Sequence, residues 1–137
     1  MPAEREPVFY DTNVLLYLLL PQSEKARLLD PFMVLGGVIS VQVLNEFTNV
    51  ARRKKGLEIN DILPFLSVLR AAFDVSPITV EVHEKALEII RRYRVSTYDA
   101  MIIGSALTEG CTTLLSEDLH HGLVVDGRLK IVNPFRV

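Results

Sequence analysis

Val8-Phe9-Tyr10-Asp11-Thr12-Asn13-Val14-Leu15 is the stretch from which the architecture can be read. Val8-Phe9-Tyr10 reads as a short buried strand, since three bulky β-formers stand together with no helical spacing around them. An acid follows at once. From Asn13 to Leu20 the chain then reads as a helix, and Pro21 stops it or begins a turn.

The same alternation continues downstream. Ser23 is a plausible N-cap for a short helix over residues 23–29, and Gly36-Gly37 breaks the chain before a strand at Val38-Ile39-Ser40. From Val41 to about Lys54 the residues Val43, Leu44, Phe47, Val50 and Ala51 fall at helical spacing, with Gly56 as the stop. A helix over residues 60–73, an extended piece over 75–78 and an amphipathic helix over 79–93 come next. Ser96 or Thr97 opens a further helix through Leu107, closed by Gly110. Thr113-Leu114-Leu115 and residues 129–132 read as strands, with a loop over 118–122. Strands alternating with helices imply an α/β fold with a mostly parallel sheet covered on both faces.

Bulk properties narrow the class. A length of 137 residues fits one domain over 1–137, and 49% hydrophobic residues can fill a sizeable core. The longest apolar run, residues 14–20, is too short to span a bilayer, and the charged, proline-bearing start is unlike a signal peptide. Cys111 is the only cysteine, which excludes an internal disulfide and a cysteine-based zinc site. A cytoplasmic address is the expectation.

Four acids stand apart: Asp11, Glu46, Asp99 and Asp118. Ligand sites in open α/β sheets gather at the carboxyl ends of strands. Asp11 directly follows the first strand, Asp118 lies three residues past Leu115, and Ser40 ends the strand leading into the helix that carries Glu46. Glu46 comes three residues after Val43 and four before Val50, so it borders the apolar stripe. Asp99 precedes Ile103 and Ala106 by four and seven residues, at the start of a buried face. An inward carboxylate is costly unless paired, protonated or bound to a metal. Each acid also has a purely structural reading. Asp11 could cap its helix, Asp99 could close a capping box with Ser96, Asp118 could hold its turn, and Glu46 could pair with Arg53.

Gathered in one pocket, four carboxylates would repel each other unless divalent cations reversed the balance. Oxygen ligands without cysteine or an evident histidine suit Mg²⁺ or Mn²⁺ rather than zinc. Such sites hydrolyse phosphodiesters by activating water and clamping the attacking and leaving oxygens. The net charge of −2 leaves 13 acidic against 15 basic residues once the four acids are set aside. Arg52-Arg53-Lys54-Lys55 and Arg91-Arg92-Tyr93-Arg94 are the clusters that would contact phosphate, unless they only complement helix dipoles. His120 and His121 could touch substrate, although an ordinary polar loop accounts for them. Nothing resembles a serine or cysteine triad or a phosphate-cradling glycine loop.

Phe9-Tyr10-Asp11-Thr12-Asn13-Val14-Leu15, Asn45-Glu46-Phe47, Tyr98-Asp99-Ala100 and Leu114-Leu115-Ser116-Glu117-Asp118 occur in an order and spacing that resemble PIN-domain ribonucleases. The resemblance extends to the ending Ile131-Val132-Asn133-Pro134-Phe135 and is closest to the VapC-type toxins of bacterial toxin–antitoxin pairs. It implies an α/β/α sandwich and a magnesium-dependent endoribonuclease site. The family's four acids fall on Asp11, Glu46, Asp99 and Asp118, and its supporting polar positions on Asn13 and Ser116. Glu117, beside Asp118, could also reach a metal. By analogy the chain would dimerise and be held inactive by a VapB-like antitoxin, with Leu16, Leu19, Leu20, Leu63, Phe65 and Leu66 as candidate contact residues or simply core. Two other readings are a non-catalytic PIN-like module that binds RNA or protein, and a PIN nuclease of RNA processing that has no antitoxin.

Overall fold

A computed structural model describes residues 6–136. In chain order the elements are β1 (Val8–Tyr10), α1 (Thr12–Leu15) with a 3-10 turn (Leu16–Leu19), α2 (Glu24–Leu35), β2 (Gly37–Ser40), α3 (Val41–Arg53), α4 (Ile59–Ala72) and β3 (Phe73–Ser76). Then follow α5 (Val80–Arg92), α6 (Thr97–Thr108), β4 (Thr113–Leu115), β5 (Val124–Val125) and β6 (Leu129–Val132). The strands form one sheet in the order β3-β2-β1-β4-β6-β5, parallel throughout except for β5 against β6. Adjacent strand residues point to opposite faces, yet Phe9 and Tyr10, Val38 and Ile39, and Leu114 and Leu115 are all buried. Both faces of the sheet are therefore covered, as parallel strands require.

The strand order fixes where a site can form. From β1 the chain builds outward to β2 and β3, then returns to the other side of β1 as β4. The reversal leaves a crevice between the carboxyl ends of β1 and β4. Asp11 and Ser116 are the first residues past those two ends.

Gly37 lets β1 and β2 approach. Its φ is +146°, and a Cβ there would meet the Val8 carbonyl oxygen at 2.4 Å. Beside it, the buried Tyr10 hydroxyl donates to the Gly36 carbonyl at 2.9 Å, closing the C-terminus of α2. Burial pushes that phenol up to about 12.

Several boundaries differ from the sequence reading. The helix expected over 23–29 continues to Leu35 despite Pro31. Leu29, Phe32 and Met33 pack on the core, and Arg27, whose carbonyl loses its helical donor to the proline, is exposed and open to water. Residues 13–20 are not one α-helix, because the second half tightens to 3-10 and Leu20, before Pro21, leaves the helical region at φ −125° and ψ 65°. Strand β5 was not expected at all. It pairs with β6 through a hairpin in which Asp126 (φ 54°) and Gly127 (φ 65°) both take the left-handed conformation. Among the described residues no helix is long and apolar enough to cross a membrane.

Candidate functional site

Asp11 caps α1 through Oδ1, which accepts from the Thr12 amide at 2.8 Å. Its Oδ2 does something else. It accepts from Ser116 Oγ at 2.8 Å and from Asn13 Nδ2 at 3.2 Å. The Asp11 amide donates to the Leu115 carbonyl at 2.9 Å, so backbone and side chain both fasten this acid to the end of β4. Asn13 adds a second tie, since its Oδ1 accepts from the Glu117 amide at 3.0 Å. The two supporting positions, Asn13 and Ser116, thus orient one carboxylate.

Asp11 is only 6% exposed, and burial raises its pKa to about 6. Its hydrogen bonds from Ser116 and Thr12 pull the other way, while the charges of Glu46 and Asp99 push it higher still. Glu46, half-buried on α3, is also raised, by burial and by Asp99. Gln42 and Thr12 oppose that rise. The Thr12 hydroxyl faces Glu46 but makes no well-formed hydrogen bond of its own in the buried space.

Gln42 was not singled out in the sequence. One turn before Glu46, it is 6% exposed and donates from Nε2 to Glu46 Oε1 at 2.9 Å and to the Tyr98 carbonyl at 3.1 Å. It therefore ties the acid of α3 to the first turn of α6, where Asp99 sits. The capping box at that turn is half made. Ser96 Oγ accepts from the Asp99 amide at 3.2 Å, but the Asp99 carboxylate accepts no hydrogen bond among the described residues.

The structure thus brings Asp11, Glu46 and Asp99 into mutual repulsion around the β1/β4 crevice. Asp118 is exposed at the surface. It lines a neighbouring groove of about 280 Å³ together with Asn13, Glu117, Lys54 and Lys55. Glu117 is engaged elsewhere, accepting from Tyr17 Oη at 2.6 Å and from Lys25 Nζ. Burial pushes its carboxyl up, but those two donors outweigh burial and hold it below the usual range.

The basic runs divide. Lys54 and Lys55 face the groove beside Asn13 and Asp118, whereas Arg52 and Arg53 line a separate cavity with Gly56, Leu57 and Glu58. Arg92 is paired with Asp126, which also binds Lys85 at 2.9 Å. His121 Nδ1 accepts from the Asn133 amide at 3.0 Å, a loop contact, and His120 is exposed. Of the apolar candidates, Leu20 and Leu63 are exposed, while Leu16, Leu19, Phe65 and Leu66 are partly buried against the core.

The donor chemistry fits a hard divalent ion. The charges acting on Asp11 and Glu46 are those of carboxylates, with no protein cation among them. Among the described residues no three acidic, histidine or cysteine side chains stand close enough together to hold a metal ion as folded, so these acids would have to draw in around one. Carboxylates without cysteine suit a hard ion that keeps several of its waters better than they suit zinc.

A family model, the PIN domain, matches residues 8–124, the span from β1 to the start of β5. The chain belongs to the PIN domain family. Among curated proteins none matches it. Solved structures share this PIN fold. A toxin–antitoxin complex chain from Klebsiella pneumoniae superposes with a TM-score of 0.69 at 19% identity, covering 95% of this chain and 99% of that one. VapC20 of Mycobacterium tuberculosis, described as a sarcin–ricin loop cleaving toxin, gives 0.61 at 19% identity over 81% of this chain and 91% of its own. VapBC2 from Rickettsia felis, bound to a promoter DNA fragment, gives 0.62 at 17% identity over 81% and 87%. At these identities the likeness is one of fold, and the mostly parallel α/β PIN architecture is the expected one.

Proposed function

We propose that this PIN domain is a magnesium-dependent endoribonuclease and the toxin of a toxin–antitoxin pair. One observation carries the reading: Asp11, buried at the carboxyl end of β1, feels the charges of Glu46 on α3 and Asp99 on α6, and no protein cation is among the charges acting on it. Asp11, Glu46 and Asp99 would hold Mg²⁺ or Mn²⁺, with Asp118 as a fourth acid from the adjoining groove. The bound ion supplies an activated water and charge neutralisation for phosphodiester hydrolysis.

The protein's own groups prepare that chemistry. Ser116 and Asn13 fix the Asp11 carboxylate, and Gln42 holds Glu46 by Oε1. Lys54 and Lys55 would hold neighbouring phosphates of the RNA; Arg52 and Arg53, on another cavity, would contribute only to a longer strand. An antitoxin partner is supported by the fold shared with toxin–antitoxin complexes from Klebsiella pneumoniae and Rickettsia felis. Of the apolar candidates read from the sequence, Leu20 and Leu63 are the exposed ones on which such a partner, or a second copy in a homodimer, would settle. In this reading the 137 residues act as one nuclease domain in the cytoplasm.

The test is cleavage of a mixed RNA pool with Mg²⁺ or Mn²⁺, with EDTA and Asp99→Asn as controls. Scission by the native chain alone supports the nuclease and its metal together. Absence of scission by folded, antitoxin-free protein transfers the reading to an RNA- or protein-binding PIN module.

A further inference from the structure

The acid centre has two unlike flanks. On one side lies the groove with Lys54 and Lys55, suited to phosphates. On the other, Glu46 is shared with a cleft of about 350 Å³ lined by Gln42, Asn45, Asn49, Ile78, Tyr98 and Met101. That volume lies within the rough range of small-ligand sites, about 300–1,000 Å³. Apart from Glu46 no charged side chain lines it.

We propose that this cleft is a nucleobase subsite, seating one unstacked base of the RNA beside the scissile phosphate. The proposal rests on the nuclease reading for the identity of the strand, but its chemistry is local. Tyr98 leaves 69% of its surface exposed at the start of α6, immediately before Asp99, as a ring that is not part of the core. Asn45 and Asn49 are one turn apart on α3, both exposed, and each offers an amide donor and acceptor. Ile78 and Met101 give an apolar wall for a flat ring. An aromatic face, apolar wall and paired amides without a cation fit a neutral planar ligand that carries hydrogen-bonding edges. Single-stranded RNA is recognised in this manner, by stacking and by amide contacts to base edges. The wall is braced, because buried Gln42 bonds both Glu46 and the Tyr98 carbonyl. Base and phosphate are thereby held in one frame. A strand whose phosphate reaches Glu46 would carry its sugar and base toward Tyr98 or toward the lysines, and only the Tyr98 side accepts a base.

Uncharged nucleosides test the cleft without metal or catalysis. Adenosine, guanosine, cytidine and uridine are each titrated into the full chain with ¹³C-methyl methionine and isoleucine. Saturable shifts of the Met101 and Ile78 methyls with at least one nucleoside, lost in Tyr98→Ala and restored in Tyr98→Phe, support the subsite. No shift with any of the four overturns it. In a second arm, ends of cleaved RNA from a mixed pool are sequenced. Tyr98→Ala is expected to weaken the base preference next to the cut by at least about fivefold, the low end of one stacking contact. Cleavage by native protein with a preference unmoved by Tyr98→Ala also overturns the proposal. Nucleoside binding with no cleavage by the native chain sustains the base site and removes the nuclease reading instead. Conversion of a dimer to a monomer by Tyr98→Ala in sedimentation would identify the cleft as a subunit interface and end the proposal.

Discussion

Two carboxylate clusters in this molecule use the same residue types to opposite effect. Around Asp126, Lys85 and Arg92 supply positive charge, and the carboxyl is held below its usual range by Lys85 first and Arg92 after. Around Asp11, burial and two further acids raise the pKa to about 6. The first cluster is complete as folded and joins α5 to the β5–β6 hairpin. The second is left in debt, and only something outside the chain can balance it. Acid content alone therefore says little; the presence or absence of a protein cation separates a carboxylate that is complete as folded from one that is not, which is where a proposed metal would act.

The largest effect that would break this contrast is at Asp11. Asp11→Asn is expected to abolish magnesium-dependent RNA cleavage. It should also change the pH dependence of stability with a definite sign. A folded pKa near 6 against 3.8 means the native state retains a proton the unfolded state has lost, so this group's contribution falls as pH rises from about 4 to about 6. The loss is about 3 kcal/mol, at about 1.4 kcal/mol per pKa unit. Thermal melts in EDTA from pH 3.5 to 7.5 should show native stability declining relative to Asp11→Asn across that window, and Mg²⁺ restoring it at pH 7. A native-minus-variant difference that is flat with pH would remove the buried, unbalanced carboxylate from the account.

Gln42→Leu comes next. Removing the donor to Glu46 Oε1 should lift the Glu46 proton affinity further, so cleavage falls about tenfold near neutrality and its acid limb moves to higher pH. Stability should change little, because the Gln42 Oε1 is buried without a partner and its loss offsets the lost bonds. Normal cleavage with an unmoved pH profile would reduce Gln42 to packing.

The Lys54→Ala, Lys55→Ala double variant should weaken RNA binding a few-fold at physiological salt. The slope of log affinity against log salt should become shallower by about 1.4 if each lysine neutralises one phosphate of a single strand. An unchanged slope would place the RNA elsewhere. The smallest effect is expected at Asp126→Asn, which keeps a residue tolerant of φ 54° and removes only the charge. A loss of about 1 kcal/mol, with cleavage unaffected, is consistent with a partly exposed ion-pair network.

How far the sequence alone could lead is clear from individual residues. The phase of Glu46 on α3 and the placement of Asp11 after a short apolar strand were legible, because each rests on spacing within one element. The strand order that joins Asp11 to Ser116 was not legible, because alternation of strands and helices implies a parallel sheet but leaves the order of its strands open. Gln42 was not legible. Its two acceptors lie four and 56 residues away, and no periodicity announces the second. The splitting of Arg52-Arg53 from Lys54-Lys55 depends on how the end of α3 turns toward the site, which a charge run does not encode. Strand β5 is a different kind of omission. Val124-Val125-Asp126-Gly127 carries a hairpin signal in plain view, and its short strand made it easy to pass over. The continuation of α2 through Pro31 reflects core packing by Leu29 and Phe32 overriding a local breaker.

The attachment of Asp11 has one more consequence, for the order in which parts of the molecule open. Its amide is bonded to Leu115 across the two central strands, and the Ser116 amide to Val132 beyond them, so freeing this acid means separating the middle of the sheet. Asp99 stands on the first turn of a helix, its amide held only by the exposed Ser96 hydroxyl. Amide exchange at the two acids should then differ by much of the global unfolding free energy. If the proposed nuclease reading holds, the wall that carries Asp11 opens only with the whole protein while the turn that carries Asp99 frays first, and an incoming strand would be admitted without disturbing the anchor.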